Sequence, residues 1–181
     1  MKRVPLNIHR EKQYLSIQFV HAHLHHIMRT IHKLLDTYGE SHQNGTNKLI
    51  HWVCVPAIMF SLLGLLALIP FPLDYTGMFA NWAAVFLAAA LLYYLRLSVL
   101  MFVGFIGIGA AMLWGIHAVK ETAGAHAAWV FPAVFVVAWI GQFIGHKIEG
   151  KKPSFFQDLQ FLLIGPAWLL HFIYDKLGIK Y

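Results

Sequence analysis

The chain has 181 residues, 59% of them hydrophobic and 12% charged, with a formal charge of +6, twelve histidines and one cysteine. Soluble domains run at about 45–50% apolar and about 25% charged, so the composition points away from an ordinary soluble enzyme and towards an integral membrane protein. The lone Cys54 excludes an internal disulfide and a thiolate metal cage. No compact basic stripe with aromatics supports a nucleic-acid partner, and the basic excess suits orientation against anionic headgroups instead.

The periodicity from Glu11 to Tyr38 predicts an amphipathic helix, because Ile17, Val20, Leu24, Ile27, Ile31 and Leu34 recur at three- and four-residue steps. Gly39 to Asn47 reads as a polar break. Leu49 to Pro70 then reads as a first span, since a hydrocarbon core of about 30 Å needs roughly 20 helical residues. Pro56 should kink it. Phe71 to Gly77 is a turn, and Asn81 to Leu95 is a second span ended by Arg96. Val99 to Ala118 is a third, with Gly104, Gly107 and Gly109 permitting close helix contact. Lys120 to His126 is a loop, and Ala127 to Ile144 is a fourth span. Leu159 to Tyr174 is apolar but short and interrupted by Pro166, which suits a half-embedded or re-entrant helix, with a fifth crossing as the alternative. No cleavable signal is evident, because the first apolar run starts near Leu49.

The expected fold is therefore all-α: a multi-pass transmembrane bundle of about four spans, with an N-terminal amphipathic helix and a short C-terminal membrane helix. Residues 1–47 form the helix and loop, and residues 48–181 the membrane-embedded domain. With the N-terminus inside, Lys2, Arg3, Arg10, Lys12, Arg29, Lys33 and Lys48 are cytoplasmic, joined by Arg96, Lys147, Lys151 and Lys152, while Lys120 alone is opposite. Four spans return the chain to its starting side. His42, His51, His146 and Glu149 can then converge on one membrane face.

Imidazole is the commonest metal-binding side chain near neutral pH. His42 and His51 are nine residues apart and meet only if the loop around Asn44 and Asn47 folds back over the helix start. Asn47 is a plausible N-cap and can orient a ligand. His146 and Glu149, at i and i+3, share a helix face. Three imidazoles and a carboxylate with open positions suit Fe(II), Zn(II) or Mn(II). The alternative is an interfacial cluster binding headgroups and helix ends. Gln142 and Asp158 can orient His146 or a substrate carboxylate, although capping explains Asp158 equally well. His21, His23, His25 and His26, with His32 beyond, read first as a polar helix flank. Their spacing also resembles one box of the membrane di-iron desaturases and hydroxylases, whose other boxes are missing. His25 as an extra ligand is the minority reading. His117, His126 and His171 read as capping, headgroup-level or buried histidines.

The two histidine segments carry a resemblance. His42-x-Asn44-x-x-Asn47-x-x-Ile50-His51 with Val55-Pro56, then Gln142-Phe143-Ile144-Gly145-His146 with Glu149, Pro153 and Asp158-Leu159, resemble the two signatures of the Mpo-type membrane 2-hydroxy fatty acid dioxygenases. Gly165-Pro166 resembles that family's C-terminal run. The likeness spans about Tyr38 to Leu170. Gly45 departs from a frequent proline, and the step from His146 to Glu149 is one residue short.

The resemblance implies a single Fe(2+) held by His42, His51 and His146, with Glu149 or another histidine completing the shell. It implies shortening of a long-chain 2-hydroxy fatty acid by one carbon with O2, that is, oxidative decarboxylation or fatty acid alpha-oxidation. The partners implied are the 2-hydroxy acid, O2 and the bilayer, with no protein partner evident. The membrane would be the bacterial inner membrane in a prokaryote and the endoplasmic reticulum in a eukaryote. Two rivals stay open: a di-iron lipid hydroxylase or desaturase using His21–His26, and a non-enzymatic metal transporter or lipid-binding protein.

Overall fold

The computed structural model describes residues 31–72, 77–150 and 161–181. All regular structure among these residues is helical. Residues 31–39 are helical, and five helices follow: α1 (Gly45–Leu68), α2 (Trp82–Leu97), α3 (Val99–Ala123), α4 (Ala127–Ile148) and α5 (Ile164–Lys176). The expected helix over Glu11–Tyr38 lies mostly outside the described residues, as do His21, His23, His25, His26 and Asp158.

Two helical runs are long and apolar enough to cross a bilayer: Gly45–Leu68 and the continuous stretch Val99–Ile148. The second run is divided by a 3-10 turn at Gly124–His126, where Gly124 takes φ 52°, a conformation that costs glycine no Cβ clash. The helix boundaries reach past the apolar stretches that announce them. α1 starts at Gly45 because the Asn44 side chain accepts from the backbone N–H of Thr46 and Asn47. The N-cap is therefore Asn44, not Asn47, and the polar break is shorter than the residue types suggested. α3 continues to Ala123, so Lys120 and Glu121 are helical rather than in a loop.

The helices pack through small residues. α1 lies most closely against α4. A side chain at Gly141 would strike Cys54, one at Gly145 would strike Asn47, and one at Gly64 would strike Phe131. The Gly141-x-x-x-Gly145 spacing is the small-residue pattern that lets two helix backbones approach. Of the three glycines expected to do this in α3, Gly104 faces Leu170 and Tyr174 and Gly109 faces Leu87, whereas Gly107 faces open space.

α5 is 13 residues long, or about 20 Å at 1.5 Å per residue, which is short of the hydrocarbon thickness. Pro166 does not interrupt it. It occupies the first turn, where a missing N–H costs no intrahelical bond. Every residue from Ile164 to Leu170 is buried, as expected for a helix apolar on all sides. The chain's main core forms around it. Ile31, Leu35 and Tyr38 join Tyr94, Met101 and Phe105 against Ala167, Trp168 and Leu170. Two tyrosine hydroxyls tie this core across elements, Tyr94 Oη donating to Leu163 O (2.7 Å) and Tyr174 Oη to Leu100 O (2.6 Å).

Candidate metal centre

α1 begins and α4 ends at the same extremity of the bundle, and the turn after residue 39 folds back across both. His42 N donates to Gly39 O (2.9 Å), which sets His42 over the start of α1, where His51 lies two turns inward. His146 stands in the last turn of α4. The three imidazoles are buried, with His42 2%, His51 0% and His146 6% exposed. Their ligand-capable nitrogens all lie within 4.8 Å of one another.

The ring orientations decide what this trio can do. His42 Nδ1 lies 2.7 Å from Tyr38 O, and His51 Nδ1 lies 2.9 Å from Asn47 O. A backbone carbonyl only accepts, so both Nδ1 atoms carry protons. In neutral rings both Nε2 atoms are then bare acceptors, and they stand 2.9 Å apart. A metal ion between the two rings would satisfy two lone pairs held at that distance. Two imidazoles bound cis to one ion at about 2.1 Å stand about 3 Å apart, so the observed spacing fits a shared metal. Carbonyl acceptors behind ligating histidines are the usual device for fixing tautomer and ring direction. Imidazole nitrogen suits zinc, copper, iron or nickel.

Glu149 is placed differently. Its carboxylate accepts from Gln43 N (2.8 Å to Oε1), Asn44 N (2.9 Å to Oε2) and Asn47 Nδ2 (2.9 Å to Oε2). It therefore joins the end of α4 to the loop that carries His42, and it is not one of the three residues whose donor atoms converge. Partial burial pulls its carboxyl up, but the hydrogen bonds from Asn47, Asn44 and Gln43 outweigh this and hold it below the ordinary carboxylate range. Gly150 follows with φ 74° and ends the helix in the left-handed turn that glycine favours.

Asn47 links the parts. It is 0% exposed. Its carbonyl orients His51, its amide nitrogen binds Glu149, and its Oδ1 sits against Gly145 with no hydrogen-bond partner among the described residues. Gln142, one turn before His146, is buried, and its Oε1 likewise has no partner among the described residues. Sequence reasoning missed the walls of the site. Tyr38 stacks on His42 (centroids 4.2 Å apart, 13° between planes), and Trp168 lies 5.3 Å from the same ring. It also missed Gly141, whose four-residue spacing to Gly145 of the second signature was the available signal.

The description "2-hydroxy-palmitic acid dioxygenase Mpo1-like" fits a family that matches residues 28–177. The chain belongs to this Mpo1-like family. The match includes all three histidines, Glu149 and the buried α5 helix. No curated protein and no solved structure matches the chain.

Proposed function

We propose that the chain is a membrane-embedded, iron-dependent dioxygenase that shortens long-chain 2-hydroxy fatty acids by one carbon, using O2 and releasing carbon dioxide. The observation that carries this reading is the facing pair of His42 and His51 Nε2 atoms, 2.9 Å apart beside buried His146, in a chain of the Mpo1-like family. Iron, when bound, supplies the Lewis acidity and redox chemistry that O2 and the 2-hydroxy acid need.

The chain's own residues hold and enclose that centre. His42, His51 and His146 are the ligands. Tyr38 O and Asn47 O fix the first two rings, and the Tyr38 ring and Trp168 keep water from one side of His42. Glu149 acts by position, clasping the His42 loop to the helix of His146, rather than as a fourth ligand. Gln142 faces the substrate side.

α1 to α4 are each proposed to cross the membrane. α2, with 16 residues, covers about 24 Å and is completed by its flanks. Leu49, Val53, Trp114, Trp129 and Val137 are exposed and would face acyl chains. Lys120 Nζ reaches Ala67 O at the far end of α1, opposite Lys48, Arg96 and Lys147, so the histidine site lies on the more basic, cytoplasmic face. The membrane is the bacterial inner membrane or the endoplasmic reticulum, according to source.

The test is oxygen uptake by protein purified without air and supplied with 2-hydroxypalmitate. Substrate-dependent uptake with a product one carbon shorter supports the proposal. Two irons per chain would favour a di-iron hydroxylase. No bound redox metal and no uptake after iron reconstitution would sink the dioxygenase reading.

A further inference from the structure

A small cavity of about 30 Å³ is lined by Tyr38, Val55, Ile58, Trp139, Gln142 and Gly165 among others. A water molecule needs roughly 10–15 Å³ measured this way, so the space admits a hydroxyl-sized group and not an acyl chain. Its walls are mostly apolar, with polar atoms from Tyr38, Trp139 and Gln142. Gln142 is 7% exposed, and its Oε1 is buried with no hydrogen-bond partner among the described residues. An amide oxygen left this way is costly unless a ligand or water donates to it.

The cavity's position relates it to the metal centre. Tyr38 is a wall of both, lining the cavity and stacking on His42. Gln142 and His146 are at i and i+4 of α4, on one face and both buried. Gln142 is thus the buried polar side chain one turn from His146 on the face that carries this ligand.

We propose that this cavity is the pocket that reads the 2-hydroxyl of the substrate, with the Gln142 amide oxygen accepting a hydrogen bond from that hydroxyl. The proposal rests on the dioxygenase reading above and adds the residue that selects the substrate class. An unsubstituted fatty acid brings a C–H to the same place and leaves the amide oxygen unpaired. Sites built to hydrogen-bond a hydroxyl discriminate strongly against the analogue that lacks it. Gln142 is a specificity-determining residue in this account, and no bond is made or broken at it.

The experiment is equilibrium binding of 2-hydroxypalmitate and of palmitate to the full chain in detergent, under argon so that no turnover occurs. The parent protein should prefer the 2-hydroxy acid by about tenfold or more. Gln142→Met, similar in shape but without the acceptor, should reduce that preference by about tenfold while palmitate binding and metal content stay unchanged. A preference unaltered in Gln142→Met overturns the proposal. If that variant fails to fold, Ile58→Phe, which fills the cavity and leaves Gln142 in place, must reduce the preference instead, and an unchanged preference there overturns it equally. Equal binding of both acids by the parent, with turnover of 2-hydroxypalmitate intact, refutes the pocket alone. Binding and turnover of neither acid refutes the dioxygenase reading beneath it.

Discussion

Removing the Glu149 carboxylate should loosen the metal centre without removing a ligand. The carboxylate holds three donors from the His42 loop and the start of α1. Gln43 and Asn44 are exposed, so water replaces the carboxylate there, and each loss is worth about 0.5–1 kcal/mol after screening. Asn47 is fully buried, and its orphaned amide nitrogen costs about 1–3 kcal/mol. Glu149→Ala should therefore destabilise the metal-free protein by about 2–5 kcal/mol. It should weaken metal binding by about 10- to 100-fold, the usual range for residues that orient ligands. Glu149→Gln keeps an oxygen for Asn47 and should fall between the two. Chelator competition gives the metal affinity, and thermal unfolding of metal-free protein gives the stability. If Glu149 were a ligand, both variants would lose metal while metal-free stability stayed at the parent value, and that result would refute the clasp. Parent-like metal affinity and stability in Glu149→Ala would refute it as well.

Other consequences are direct. Gly145→Ala puts a methyl group against Asn47 and should cost about 1–3 kcal/mol by overpacking, with a matching fall in Tm. Asn44→Ala removes the α1 cap and should cost about 1 kcal/mol, leaving metal stoichiometry intact. Tyr38→Ala removes the ring stacked on His42 and should lower stability by about 3 kcal/mol, whereas Tyr38→Phe keeps the stack and should lose less than the alanine variant. Because the folded carboxyl of Glu149 is held below its ordinary value of 4.5, the clasp contributes fully above that pH and is lost as pH falls through the depressed value. Metal-free Glu149→Gln should lack this acid-side loss, and an acid unfolding profile identical to the parent's would contradict the assignment.

Much of the site was legible because it depends on chain direction. An even number of apolar helices between His51 and His146 returns both to one end, and the structure brings His42, His51 and His146 together there. Roles that depend on side-chain geometry were not legible. Glu149 sits three residues after His146, which suits a ligand as well as a clasp, and its hydrogen bonds to Gln43, Asn44 and Asn47 could not be read from that spacing. Asn44 and Asn47 are equally good cap formers by type, and the backbone chose the first. Pro166 looked like an interruption of the short C-terminal apolar run, yet proline in a first turn breaks nothing and the helix fills the core. Tyr38 and Trp168 were not legible as walls of the site, since nothing local in the sequence brings α5 onto residues 31–42. The match over residues 28–177 agrees with the resemblance carried by the two histidine segments.

The central claim is that one metal ion lies between His42, His51 and His146. The most direct test is metal content per chain, measured by elemental analysis on protein purified without air, for the parent and for the alanine variants at His42, His51 and His146. A single iron in the parent, lost from each variant while detergent-solubilised protein remains folded, is the predicted result. Parent-level metal in all three variants would contradict the account.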